Sequence, residues 1–513
     1  MTSQHGADPD PRRWQALGVT QLAGFMGLLD VTIVNVALPS IQQDLGASVA
    51  GVQWVVSGYA LAFGLVLAAA GRLGDALGRR RMFLWSLAAF VATSALCGAA
   101  PTIELLIAAR LLQGLAAGTL GPQSSGLIQQ LFSGPERAKA FGVFGATVGL
   151  STAVGPVAGG VILAVAGEPA GWRWVFLVNV PLGLAGLALA RRVLPPSPLV
   201  RRGVLGEIDT LGAVLLGAGV LCALLPLVQS EAGGLVRLWW LFPAAVALLA
   251  TFAWWELRTA RRGRPPLLEP VLLTGTPGYL TGAMIGLTYF IGFSGLWLVF
   301  AIFFQTGLGY TPLESGLAVT SYALGGAVSS AVAGRLVSRF GRWVTVLGLC
   351  CVLAGFAAAT AVLLLAPAAD AGWVLALPLL VAGTGGGAVI SPNIALTLDA
   401  VPVRMAGAAG GALQTVQRLG SAFGTAALAA VFYGVVSGDG RHYVAGLAAA
   451  LLTAAGFVLV ALVLAVRELR ASRRRKLPST PPSTAPSTAA GTPAGRPATG
   501  TVGLAAVQRR QHR

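Results

Sequence analysis

Three ionisable residues stand deep inside long apolar runs of this 513-residue chain: Asp30, Arg110 and Arg418. A charge buried in hydrocarbon is costly, and such residues mark ion or substrate pathways. Asp30, in LLDVTIVNVALPSI, falls about eight residues from one end of its run, roughly 12 Å deep at ~1.5 Å per residue. Arg110, in RLLQGLAAG, falls about eight residues into its own run from the same side, so the two share a depth and can approach each other. Arginine keeps its proton, which leaves Asp30 as the candidate proton carrier. A guanidinium favours the carboxylate and desolvation favours the acid, so helix motion that parts the pair would couple movement to proton uptake. The alternative is a static ion pair that holds the bundle together. Gln113, about one turn after Arg110, is placed to hydrogen-bond either group. Arg418 either holds an anionic group of a substrate or caps carbonyls of a broken helix. Asn35, Trp54, Tyr59, Tyr289 and Trp297 are candidate cavity residues, with aromatic belts at the membrane interface as the competing role for the rings.

The second concentration of charge is GRLGDALGRRR, residues 71–81, where five of eleven residues are charged in a chain only 10% charged and 55% hydrophobic. It reads as a short loop between two apolar runs, with Gly71, Gly74 and Gly78 permitting tight turns and close helix approach. Its arginines fix a side of the membrane, a role that does not require Asp75. Further on, Gly145, Gly149, Gly155 and Gly159 recur with Pro156 among them, and Gly160 follows. Small residues at this spacing allow close packing, and the proline kinks the helix.

Other chemistries are excluded by what the runs lack. The histidines, at 5, 442 and 512, are not deep in any run, so no histidine relay crosses the membrane. Cys97, Cys222, Cys350 and Cys351 lie in apolar runs without CxxC or Cys/His spacing, so neither disulfides nor a metal site is expected. Neither lysine, Lys139 or Lys476, is followed by Ser or Thr, which removes the phosphate-binding GxxxxGK[ST] motif of an ATP-driven pump. No enzyme, metal or cofactor is expected; the proton gradient is the energy source.

The elements that position these residues follow from hydropathy. Mean hydropathy is +0.77, and about fourteen apolar runs near or above ~20 residues recur along the chain. In lipid such runs must be helices, and they lack the alternation of barrel strands. We place them near 15–38, 52–71, 82–100, 103–132, 138–166, 172–190, 209–229, 236–257, 278–304, 314–334, 343–366, 371–396, 406–436 and 442–466. Twenty basic residues fall in one set of alternate loops and three (Arg173, Arg237, Arg441) in the other. This bias places both termini in the cytoplasm and explains the net charge of +17 without nucleic acid. Arg12-Arg13 precede a run too long for a cleaved leader, which is taken as a retained first helix. The scarcity of lysine beside abundant Ala and Gly suggests a GC-rich bacterial source, hence a bacterial cytoplasmic membrane.

An internal repeat organises the runs. GRLGDALGR (71–79) and GRLVSRFGR (334–342) match at five of nine positions, the first after span 2 and the second after span 10. TLGPQ and VISPN place a proline alike in spans 4 and 12, and ERAKAFG and VRMAGAA open spans 5 and 13. The expected domains are a cytoplasmic N-terminus (1–13), a six-helix half (14–192), a linker with an inserted hairpin (193–264), a second six-helix half (265–467) and a disordered basic Pro/Ser/Thr-rich tail (468–513).

These motifs resemble those of the major facilitator superfamily, in particular its fourteen-span drug/proton antiporters. GRLGDALGRRR is similar to that superfamily's loop 2–3 motif, RLLQGLAAG to its span 4 pattern, GPVAGG to its span 5 antiporter motif, and LLDVTIVNVALPSI and WRWVFLVNVPLG to its first-span and sixth-span motifs. The resemblance covers residues 14–467 and implies the major facilitator fold, with an all-α polytopic chain of two six-helix halves and an inserted hairpin. It implies that Asp75 with Arg79 and Arg80 latches the cytoplasmic mouth, and that Gly155, Pro156, Gly159 and Gly160 form a gating kink suited to export. Ser338 replaces the acid in the second copy. The expected function is proton-coupled export of hydrophobic or amphipathic small molecules by a monomer, with protons, substrate and lipid as partners. An importer or uniporter of polar compounds on the same fold, or a non-transporting sensor, is the alternative.

Overall fold

The computed structural model describes residues 11–167, 170–196, 209–229, 233–365, 371–436 and 442–476, and among them all regular structure is helical. The first half comprises α1 (Arg13–Asp44), α2 (Val49–Leu77), α3 (Arg79–Gly98), α4 (Ile103–Leu131), α5 (Gly134–Ala166), and a sixth span in two pieces, α6 (Trp172–Leu177) and α7 (Asn179–Val193). α8 (Thr210–Val228), the short α9 (Gly234–Arg237) and α10 (Leu241–Arg261) form the inserted hairpin. After the short α11 (Val271–Thr274) come α12 (Tyr279–Ile302), closed by a π turn over Phe303–Gly307, and α13 (Pro312–Phe340). α14 (Arg342–Leu365), the short α15 (Ala371–Val374), α16 (Ala376–Leu398), α17 (Ala406–Val436) and α18 (Tyr443–Lys476) complete the chain. Among the described residues thirteen spans are long and apolar enough to cross a bilayer directly, and α5, bent by 45° between Gly134–Thr152 and Val157–Ala166, makes fourteen if counted as one span.

Helix starts follow local chemistry. Ser48, Thr102 and Asp209 each accept an N–H from the residue three further on, from Gly51, Leu105 and Gly212. Thr311 and Glu314 exchange bonds in a capping box ahead of α13. Several expected boundaries need correction. Residues 71–77 are not a loop: α2 continues to Leu77, and the turn is Gly78 alone, at φ 97°. Gly341, at φ 56°, makes the same corner in the second copy. Only glycine tolerates that backbone readily. The tail begins later than residue 468, because α18 stays helical to Lys476. The expected 236–257 span is Leu241–Arg261, since Gly234–Arg237 form a separate turn. The rest of the tail, 477–513, lies outside the described residues.

Packing repeats with the sequence. α1 lies on α5 as α12 lies on α17, α2 on α4 as α13 on α16, and α3 on α4 as α14 on α16. Between the halves α2 packs on α17 and α13 on α5, the same relation with the halves exchanged. Both seams are backbone contacts. A Cβ on Gly407 would stand 2.5 Å from the Gly71 carbonyl oxygen, and one on Gly334 would stand 2.6 Å from Gly142 Cα. Helices approach this closely only where side chains are absent.

Candidate functional site

Asp30 and Arg110 meet. Both are fully buried, and Arg110 Nη1 donates to Asp30 Oδ2. The rest of the carboxylate is saturated as well. Asp30 Oδ1 accepts from Gln113 Nε2 at 3.1 Å and from Asn179 Nδ2 at 3.2 Å. Ser94 Oγ in turn accepts from Gln113 at 3.0 Å and from Asn179 at 3.2 Å. Arg110 also donates from Nη1 to Gln113 Oε1 at 2.8 Å and from Nε to the Val55 carbonyl at 3.0 Å. Its guanidinium carbon lies 4.0 Å from the centre of the Tyr59 ring, whose hydroxyl donates to the Gly27 carbonyl at 2.8 Å. Five spans of the first half converge on one carboxylate. It is the one carboxylate at this depth among the described residues. A buried charge is tolerable only with such complete pairing, and removing one partner costs about 3–5 kcal/mol.

Asn179 and Ser94 were missed in the sequence, because neither is ionisable. The signal was present: Asn179 is the uncharged polar residue within the apolar stretch of WRWVFLVNVPLG, and Pro181 follows it closely. The break between α6 and α7 at Val178 puts Asn179 at a helix start inside the membrane. The WRW end of the motif is a fastener. Trp172 Nε1 donates to Asp44 at 2.9 Å, Arg173 pairs with Asp44 at 3.3 Å, and Arg173 also donates to the Ala100 carbonyl at 2.6 Å.

At the arginine-rich end Asp75 reaches across the halves. Its Oδ1 accepts from Gly407 N at 3.0 Å and its Oδ2 from Ala408 N at 2.8 Å, the first turn of α17. Unpaired N–H groups and the helix dipole make that end a carboxylate site. Arg79 holds Asp75 in place at 2.7 Å and donates to the Gly126 carbonyl at 3.0 Å and, across the seam, to the Val403 carbonyl. Gly71 and Gly74 are helical and serve proximity: a Cβ on Gly71 would stand 2.1 Å from the Gly407 oxygen, and one on Gly74 would stand 1.9 Å from Gln123 Oε1. Arg80 is elsewhere, donating to the Arg191 carbonyl at 2.5 Å within its own half, because α3 turns it toward α7. In the second copy Ser338 bonds its own helix at Arg335, and Arg342 donates to Asn393 at 2.6 Å.

The remaining candidates separate. Arg418 lies over the Phe63 ring at 4.3 Å and makes no ion pair among the described residues. α17 is continuous there, so no broken-helix carbonyls await it. Tyr289 and Trp297 border a narrow cavity of about 40 Å³ between α5, α12, α13 and α16. Phe293 and Tyr322 complete its aromatic wall, stacked at 5.6 Å. Trp54 is not on this cavity; it packs against α8. Asn35 is exposed on α1. The α5 bend spans residues 153–156, which include Gly155 and Pro156. Gly155 and Gly159 press on α1, where a Cβ on Gly155 would stand 1.9 Å from Thr32 Oγ1, whereas Gly160 has nothing within 4 Å. Among the described residues no cluster of His, Cys, Asp or Glu could hold a metal.

The family model described as "Major Facilitator Superfamily" matches residues 21–425 and, in a second alignment, 282–507. The chain belongs to the major facilitator superfamily. As a member of that superfamily it is a multi-pass membrane transporter. The probable actinorhodin transporter of Streptomyces coelicolor is 38% identical over 437 residues, covering 84% of this chain and 74% of that protein. The puromycin resistance protein of Streptomyces alboniger is 37% identical, covering 84% of each. The cephamycin export protein of Amycolatopsis lactamdurans is 34% identical, covering 90% of this chain and 95% of that protein. Among solved structures, the human organic anion transporter MFSD10 superposes with a TM-score of 0.64 at 18% identity, covering 89% of this chain and 100% of that one. The proton:xylose symporter XylE gives 0.64 at 15% identity, covering 90% and 96%. These two major facilitator structures share the fold.

Proposed function

We propose that the chain is a proton-coupled exporter of hydrophobic or amphipathic small molecules, such as antibiotics or secreted metabolites. It works in a bacterial cytoplasmic membrane with both termini in the cytoplasm. The observation that carries this reading is the saturated, fully buried Asp30 carboxylate on α1, against which the bent α5 leans at Thr32. Its relatives' names, among them transporters and resistance proteins for actinorhodin, puromycin and cephamycin, support export and the substrate class.

The halves, 14–192 and 265–467, rock about the two glycine seams. With Asp75 engaged on α17 and Arg79 on the Val403 carbonyl just before it, the cytoplasmic mouth is shut. As the halves rock, α1 shifts against α4 within the first half and parts Asp30 from Arg110, and the carboxylate then takes a proton in place of the lost cation. Re-forming the pair releases the proton on the other face. Substrate leaves in exchange, held by the aromatic wall of Tyr289, Phe293, Trp297 and Tyr322. No cofactor enters this cycle.

The test uses purified protein in liposomes with a trapped pH-sensitive dye, an imposed pH gradient, and a panel of antibiotics and dyes. Compound-driven proton movement in the natural protein that disappears in Asp30→Asn is expected. Substrate movement without proton flux, or normal coupling in Asp30→Asn, refutes the mechanism.

A further inference from the structure

The two seams between the halves are equivalent in sequence and backbone, yet only one is covered. α8 packs on both α2 and α17, and Val220 and Leu224 of α8 form a buried cluster with Leu61. Leu224 lies so close that a Cβ on Gly64 would stand 2.9 Å from its Cδ1. α4 also packs on α2 and α17, as its counterpart α16 packs on α13 and α5, but among the described residues no additional helix like α8 packs on both α5 and α13.

Aligning GRLGDALGR on GRLVSRFGR pairs each α2 residue with its counterpart in α13. Leu61 then corresponds to Leu324. Leu61 is 5% exposed and Leu324 is 50% exposed. Leu65 and Trp54, which also touch the α8 cluster, correspond to Val328 and Leu317, exposed by 66% and 56%. Among the described residues no large apolar side chain of α2 is exposed. The aromatic cavity lies directly behind the uncovered seam, bordered by Gly149 of α5 and Gly326 of α13 together with Tyr289, Phe293, Trp297 and Tyr322.

We propose that the inserted hairpin is a lateral plug. It closes one of two openings between the halves to the bilayer, so that apolar substrate dissolved in hydrocarbon exchanges with the aromatic cavity only across the α5/α13 seam. The route rests on the exporter reading above; the plug itself does not. Burial of apolar surface drives a hydrophobic compound into the leaflet before it meets protein. A carrier with this cavity therefore gains from a doorway in the hydrocarbon and loses from a second, leaking one. The two-fold plan supplies both doorways, and α8 removes one.

The test is made on the full chain in proteoliposomes, with the four native cysteines replaced and single cysteines at Leu61→Cys or Leu324→Cys. A long-chain alkyl maleimide dissolved in the lipid is the probe, and N-phenylnaphthylamine is the transported dye. Labelling of Leu324→Cys at least tenfold faster than Leu61→Cys is expected, with labelled Leu324→Cys losing dye movement. Adding Val220→Ala and Leu224→Ala should raise Leu61→Cys labelling toward the Leu324→Cys rate and restore dye movement to the blocked protein. Equal labelling of the two cysteines, or a blocked protein that stays blocked once α8 is trimmed, overturns the plug. If the unlabelled protein moves no dye, the exporter reading fails for such compounds, while the labelling ratio still decides whether α8 seals the seam.

Discussion

Asp75→Ala tests the cytoplasmic clamp most directly. The substitution removes two charge-assisted bonds to the first turn of α17, at 3.0 and 2.8 Å. Bonds to a charged group contribute roughly 1.5–3 kcal/mol each. Arg79 is not left stranded, because it keeps the Gly126 and Val403 carbonyls and Gln130. The two bonds sum to about 3–6 kcal/mol, and water reaching the freed N–H groups of α17 recovers part of it, which leaves about 2–4 kcal/mol. At ~1.4 kcal/mol per decade, the closed-to-open ratio should fall by roughly 30- to 1000-fold. Ser125 reports this opening: it is buried behind the clamp, 3.3 Å from Gln414 of α17. In a background without native cysteines, the labelling rate of Ser125→Cys by a water-soluble maleimide measures the open population. Asp75→Ala should raise that rate by at least ~30-fold, and Asp75→Asn, which keeps one acceptor, by roughly tenfold. Labelling within about twofold of the parent, with thermal stability unchanged, would refute the clamp.

Other outcomes follow from the same geometry. Gly71→Ala places a Cβ 2.1 Å from the Gly407 oxygen, so it should cost about 1–3 kcal/mol and speed Ser125→Cys labelling. Arg110→Ala strands Asp30 and should lower stability by about 3–5 kcal/mol in thermal unfolding. The double variant Asp30→Asn/Arg110→Gln should recover much of that stability while moving no protons; recovery of coupling as well would make the pair merely structural. Gly155→Ala meets Thr32 Oγ1 and should unfold at lower temperature, whereas Gly160→Ala, with open space around it, should match the parent. Asp44→Ala loses the Trp172 and Arg173 contacts and should cost about 1–2 kcal/mol, with proton coupling retained.

The fold was legible because membrane helices declare themselves by length and hydropathy, and because the halves kept their punctuation. GRLGDALGR and GRLVSRFGR ended corresponding helices, and the proline pair marked α4 and α16. Boundaries drifted by several residues where helices run on beyond the hydrocarbon, as at Leu77 and Lys476; hydropathy cannot see helix that continues into water. Within the site, Asp30, Arg110 and Gln113 could be found by asking which groups pay most for burial. Asn179 and Ser94 could not, since a neutral polar side chain is ordinary in a membrane helix until the tertiary fold turns it toward a charge. Arg80 was grouped with Arg79 by adjacency, but consecutive helical residues point about 100° apart, and one reaches Val403 in the turn before α17 while the other reaches α7. Trp54 was a plausible cavity ring until the hairpin covered it, and no local pattern says where an insertion will dock.

Tyr59 and Phe63 stand one turn apart on α2 with ring centres 6.1 Å apart, and each carries a guanidinium: Arg110 from the same half, Arg418 from the other. The two contacts differ mechanically. Arg110 is pinned by directed bonds, whereas Arg418 rests on a ring face whose attraction, about 0.5–2 kcal/mol, varies gently with sideways displacement. A hydrogen-bonded ion pair across the same gap would have to break on every stroke, and each ~1.4 kcal/mol added to a barrier slows a cycle tenfold. In the proposed rocking, Phe63 would serve as a bearing surface that keeps a cation of the second half seated against the first while letting it slide.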